Sequence, residues 1–135
     1  MIDPLACVIQ YFKASSLSTE QIAEKYRYGD GGWSAGTPSI LVRLDGGNAD
    51  LYLPAQEVRL EVRCYAKNSE LAMKILAELI SLSRKTNRNK VVIGSKNALL
   101  YWLLQDSGPS LLTDEDLKMA YALMFFAARI AEDEL

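Results

Sequence analysis

The stretch Gln56–Tyr65, QEVRLEVRCY, constrains this chain more than any other, because from Glu57 to Cys64 its side chains alternate in polarity without a slip. Val58, Leu60, Val62 and Cys64 fall on one side of such a segment, and Arg59, Glu61 and Arg63 fall on the other. A period of two belongs to a strand with one apolar and one polar face. Past Lys67 the period lengthens to that of a helix, with Leu71, Ala72, Ile75, Leu76, Leu79 and Ile80 on one stripe. A long strand that feeds a helix through Lys67, Asn68 and Ser69 predicts an α+β fold, a mixed and mainly antiparallel sheet with helices packed on one face.

The flanking sequence fills in that plan. Ile2–Ala14 reads as a first helix, with Asp3 to cap it, Pro4 in the first turn and an apolar stripe of Leu5, Val8, Ile9 and Phe12. Ser18 and Gln21 have the spacing of a capping box, which predicts a second, short helix. Tyr28–Pro38 is rich in glycine and reads as a loop, and Asp45-Gly46-Gly47-Asn48 reads as a turn closing a short strand over Ser39–Leu44. That strand is expected to pair antiparallel with Gln56–Tyr65, leaving Ala49–Ala55 as an excursion. The main helix is expected over Ser69–Arg84, and a short strand over Val91–Ile93. Leu99–Gln105 and Met119–Ile130 are apolar on both faces, so periodicity leaves strand and helix open. Their aromatic residues and the intervening Gly108-Pro109 favour strands, although Thr113–Asp116 resembles a helix start. Strands apolar on both faces carry more apolar surface than a half-covered antiparallel sheet requires, which points to contact with another chain, the alternative being that one domain covers both faces itself.

At 135 residues the chain fits one domain, residues 1–135, large enough to fold around its own core. Its net charge of −2 announces neither nucleic acid nor a membrane as partner. The start of the sequence lacks the basic-then-apolar layout of a signal peptide, so synthesis in the cytoplasm is expected. Leu117–Ala131 is too short, and too charged at Lys118 and Arg129, to span a bilayer. Cys7 and Cys64 stand far apart in no paired motif and read as buried thiols.

The sequence holds no histidine, which removes the usual nucleophilic triads and the commonest metal ligand. The acids cluster at Asp114–Asp116 and Glu132–Glu134, as solvated runs and not as buried pairs with divergent pKa values. Gly29–Gly32 has neither the preceding strand nor the following lysine of a phosphate loop. Arg84–Lys90 is basic but follows a helix, where cations offset the last carbonyls, and no aromatic residues interleave with it. The expectation is a protein that is no enzyme and uses no cofactor or metal. Its candidate interface residues are Trp33, Leu51, Tyr52 and Leu53 on loops, and Arg59, Glu61 and Arg63 on the polar strand face.

Taken in order, the elements resemble the tail-terminator, or tail-completion, family of long-tailed bacteriophages. The likeness runs from Ile2-Asp3-Pro4-Leu5 through Thr37–Arg43 to its clearest piece, Val58–Ala66 followed by Asn68–Ala72, and closes with strands after the helix. The resemblance implies a structural virion protein that assembles as a ring, typically a hexamer, at the head-proximal end of the tail tube. There it would end polymerisation and join the head. It implies three partners: further copies of itself, the tail tube protein and a head-tail connector protein. DNA would pass through the bore without specific binding, with Arg84–Lys90 outside the bore. A connector or stopper of the neck, or a small non-catalytic bacterial adaptor, would share the same features.

Overall fold

The computed structural model of this chain describes residues 2–17, 19, 21–24, 37–49, 55–115 and 118–132. Helix α1 spans Pro4–Lys13, β1 Gln21–Glu24, β2 Ser39–Ala49, β3 Ala55–Ala66, α2 Ser69–Lys85, β4 Asn89–Ile93, β5 Lys96–Asp114 and β6 Met119–Glu132. The strands form one sheet in the order β1-β2-β3-β6-β5-β4. β1 is parallel to β2 and every other pair is antiparallel, which makes the fold α+β with a mixed, mainly antiparallel sheet.

β3 and β6 form the spine. Every residue of β3 has a partner on β6, from Ala55 opposite Ala131 to Ala66 opposite Ala120, without a register shift. Alternation then does the sorting. Val58, Leu60, Val62 and Cys64 share a face with Ala122, Met124, Phe126, Ala128 and Ile130, and nearly all of these are completely buried. Both helices cover that face. α1 brings Cys7, Val8 and Phe12 to it, and α2 brings Ala72, Ile75, Leu76 and Leu79. Met119–Ile130 therefore extends as a strand: a central strand with a partner on each side satisfies its backbone there, and its two faces meet different surroundings.

The helix ends follow their local chemistry. The Asp3 carboxylate accepts from the Leu5 amide at 3.0 Å, and Pro4 occupies the first turn, where an amide would have no acceptor. Asn68 caps α2 by accepting from the Leu71 amide at 3.0 Å, and Arg84 and Lys85 lie in the last turn. The helices are tied together where α2 stops. The Thr86 hydroxyl donates to the Leu82 carbonyl at 2.9 Å, so the buried Tyr11 hydroxyl, 2.8 Å away, donates to Thr86.

Several expectations need correction. Gln21 opens strand β1, not a helix beginning at Ser18; so short a helix is marginal alone, whereas a strand there pairs with Ser39–Val42. Asp45–Asn48 does not turn the chain. β2 runs through it to Ala49, with a register shift between Leu44 and Gly47 that absorbs one extra residue as a bulge. Gly108-Pro109 does not separate two elements either. It lies inside β5 as a cis peptide beside a second irregularity, and β5 continues to Asp114, through half of the supposed helix start. The loop Tyr28–Pro38 and the excursion Ala49–Ala55 lie for the most part outside the described residues.

The two β2 glycines differ in what they tolerate. Gly46 (φ 101°) faces open space, while at Gly47 (φ 144°) an added Cβ would overlap the Glu57 carbonyl and the Val58 backbone. Gly46→Ala is therefore expected to cost about 1 kcal/mol of unfolding free energy, the usual strain of a left-handed alanine. Gly47→Ala should cost at least about 2 kcal/mol, because β2 must move off β3. Urea titrations of the two variants check the ranking.

Candidate functional site

Opposite the helices, the sheet exposes a face that Arg59, Glu61 and Arg63 were expected to dominate. The structure places all three there, with Tyr65 beyond them, but joins them to residues from three other strands. Register explains the meeting: Arg43 of β2 stands opposite Glu61, Glu61 opposite Phe125 of β6, and Tyr65 opposite Tyr121.

Glu61 is the centre. It is only 4% exposed, and both of its carboxylate oxygens are engaged. Oε2 accepts from Arg43 Nε at 3.0 Å and also from Nη2 of the same guanidinium; Oε1 accepts from Arg63 Nε at 2.7 Å. A carboxylate between two guanidiniums is the arrangement that makes a buried charge tolerable. Burial would lower the Arg63 pKa, but hydrogen bonds to Tyr65 and Glu61 outweigh it and raise it, so this guanidinium stays charged. Glu61 is therefore not a surface carboxylate awaiting a neighbouring subunit, as its place on a polar strand face suggested. It is spent inside the chain, because β2 delivers a second arginine beside it.

Arg59 takes part in a separate group. Its Nη1 lies 3.4 Å from Asp45 Oδ2, and its Nε, buried and off the line of a hydrogen bond, lies 2.9 Å from Asp106 Oδ2. Asp106 is the extra residue between Gln105, opposite Phe126, and Ser107, opposite Phe125. The bulge re-aims its side chain toward Arg59. At the far end Glu57 pairs with Arg129 at 3.0 Å. Salt bridges thus run across the face from β2 to β5.

Aromatic rings underlie these charges. The Arg59 guanidinium sits 4.3 Å from the Phe125 ring centroid and that of Arg63 sits 4.9 Å from Tyr121, within the range of cation–π attraction. The Tyr121 ring also stacks obliquely on Tyr65 at 4.9 Å, beside a small cluster of Leu41, Tyr65 and Met119. The surplus apolar surface expected on this side is thus partly covered by the chain's own arginines. The second apolar face of β6 was visible in the sequence; its cover was not, since Arg59 and Arg63 lie on another strand.

Trp33, Leu51, Tyr52 and Leu53 lie outside the described residues. Sequence reasoning missed Arg43, Asp45, Asp106, Tyr121, Phe125 and Arg129. The one available signal was parity, since Arg43 lies two residues from Leu41 and shares its side of β2.

Elsewhere, a shallow groove of about 490 Å³ runs between Ser15–Leu17 and the α2 residues Lys74, Glu78 and Lys85. Among the described residues no group of three or more cysteines or acids is placed to hold a metal ion. Among the described residues no helix is long and apolar enough to cross a membrane. Cys7 and Cys64 are buried free thiols. Burial, helped by Asp3, pushes the Cys7 thiol from 9.0 up to about 12, and burial with a smaller effect of Glu78 raises Cys64 further. No protein-family model matches this sequence, and the comparison with curated proteins finds no match.

Two measurements test this description. Glu61→Ala should lower unfolding free energy by about 3 kcal/mol, at the low end for a broken buried pair because Arg43 is 39% exposed and can rehydrate. The triple variant Arg43→Met, Glu61→Leu, Arg63→Met should recover most of that loss in the same urea titration. The thiols supply a pH dependence. Both are held protonated in the folded state, so unfolding releases protons once pH exceeds 9.0, the ordinary thiol value. Their contribution is complete below that pH, and stability should fall as pH rises from about 9 to about 12. Cys7→Ala and Cys64→Ala, each compared with its own neutral-pH stability, should flatten the alkaline limb.

Proposed function

We propose that this chain is a structural component of a bacteriophage tail, a terminator that assembles as a ring on the head-proximal end of the tail tube. There it ends polymerisation and forms part of the joint with the head. Its place is in the virion neck after synthesis in the host cytoplasm. The observation that carries the reading is the sheet face opposite the helices, a strand surface in which arginines and carboxylates neutralise one another over aromatic rings. Such a surface suits the docking of another protein's backbone and rim charges better than the turnover of a small molecule. The order of elements, from the capped N-terminal helix through the alternating strand and its helix to the closing strands, is what the resemblance to tail terminators rests on.

Arg59, 42% exposed, is the natural contact for a tube ring or a neighbouring subunit, and Arg63, 21% exposed, offers less of its charge. The two groups differ in cost. Arg63 is needed to hold Glu61, so its reversal disturbs the fold, whereas Arg59 is paired with Asp45 and Asp106 at the rim. DNA needs no specific contact in this role.

The test adds purified chain to polymerising tail tube protein and reads tube length and end density by electron microscopy. The expected result is shorter tubes, each carrying this chain at one end, with Arg59→Gln, which removes the charge without setting a third carboxylate beside Asp45 and Asp106, folding but capping poorly. Binding to portal or adaptor protein, with tube growth unaffected, would instead identify a connector or stopper. Failure to bind any neck or tube component would end the proposal.

A further inference from the structure

Each edge of the sheet is only partly covered. β4 pairs with Lys96–Leu100, and the Arg88 amide reaches the Tyr101 carbonyl. From Trp102 onward β5 has β6 on one side and, among the described residues, no strand on the other. The opposite edge is β1, which pairs on its inner side with Ser39–Val42 and, among the described residues, with no strand on its outer side.

Following the register across the sheet brings these two edges to one level. Ile22 is opposite Ile40, then Cys64, Ala122 and finally Leu111. The next row runs from Gln21 through Ser39, Tyr65 and Tyr121 to Leu112, and the row on the other side from Ala23 to Ser110. β1 and Ser110–Leu112 are thus opposite ends of the same rows. The ends are unequal: Ile22 packs against the core, while Leu111 and Leu112 are 52% and 43% exposed. Three antiparallel steps separate β2 from β5, so β1 and β5 run in opposite directions.

The length available also matches. Asp106 and the Gly108-Pro109 irregularity interrupt the β5 edge, and Pro109 has no amide to donate, so clean pairing is confined to the residues after it. Ser110–Thr113 is a run as long as the 4-residue β1. Exposed leucines on a regular edge that is blunted just upstream mark a surface kept for a particular strand.

We infer that Ser110–Thr113 of one copy pairs antiparallel with the outer edge of β1 in the next copy, seating Leu111 beside the neighbour's Ile22. The sheet then continues from subunit to subunit, head to tail. Two different edges meet at each contact, so the assembly closes as a ring when the rotation per subunit divides a full turn. The inference rests on the ring of the proposed function, but not on what that ring caps.

The test uses the full chain and an affinity-tagged Leu111→Lys/Leu112→Lys variant, with both substitutions at exposed positions. Light scattering of the wild type should give a multiple of 15.0 kDa, and the variant alone should run as a single subunit with an unchanged circular dichroism spectrum. Because its β1 edge is intact, the tagged variant should still capture wild-type chain. Hydrogen exchange of the unmodified protein gives a readout that does not depend on the variant's folding. The Ser110–Thr113 amides should be protected in the multimer and exchange rapidly on dilution to monomer. A variant that keeps the wild-type mass, one that captures no wild-type chain, unprotected Ser110–Thr113 amides in the multimer, or a wild type monomeric at every concentration would each overturn the inference. A ring that the variant abolishes but that ignores tail tube protein would instead end the capping reading and leave the edge pairing standing.

Discussion

The unbroken ladder between β3 and β6 is the constraint on which the rest of this structure depends. Because all of β3 is in register with β6, one face of both strands is apolar from end to end, and both helices have a single surface to cover. A slip of β3 by one residue would turn Leu60 and Val62 away from α1 and α2 and put Glu61 and Arg63 in their place. Each fully buried side chain of that size contributes about 1.5–3 kcal/mol relative to exposure, so the cost of slippage far exceeds any gain from an alternative pairing. Side strands can then carry bulges without endangering the register of the centre.

The irregularities have a consistent use. Bulges fall on β2 and β5, the strands flanking the spine, and not between β3 and β6. On β5, the Asp106 bulge turns a carboxylate toward Arg59. On β2, the Gly46-Gly47 bulge follows Asp45, which faces both Arg43 and Arg59. The open face is therefore a designed polar surface, with its charges paired across four strands. It leaves arginine edges over aromatic rings as the groups that another protein would meet.

Some of this was legible from residues alone. The alternation of Val58, Leu60, Val62 and Cys64 and the stripe from Leu71 to Ile80 are local patterns, and local patterns decide which face of a strand or helix is buried. Asp3, Pro4 and Asn68 act within one turn of their own positions, so the starts of both helices could be placed. The glycine and proline signals misled at Asp45–Asn48 and at Gly108-Pro109. A residue suited to a turn is equally suited to a bulge, and only the presence of a partner strand distinguishes them. The capping-box spacing at Ser18 failed for the same reason, since pairing with β2 outweighs a weak local preference.

The sequence by itself determined the class of fold, the buried face of each long element and the lack of histidine chemistry, because those follow from composition and from periods of two and 3.6. Tertiary structure alone decided which charges meet. Arg43 reaches Glu61 only because β2 and β3 pair in one register, and Arg59 reaches Asp106 only because β5 carries an extra residue at that point. It also decided that Ile22 and Leu111, 89 positions apart in the chain, end the same row of the sheet. Strand order and register are set by the sum of long-range contacts, and no single segment encodes them.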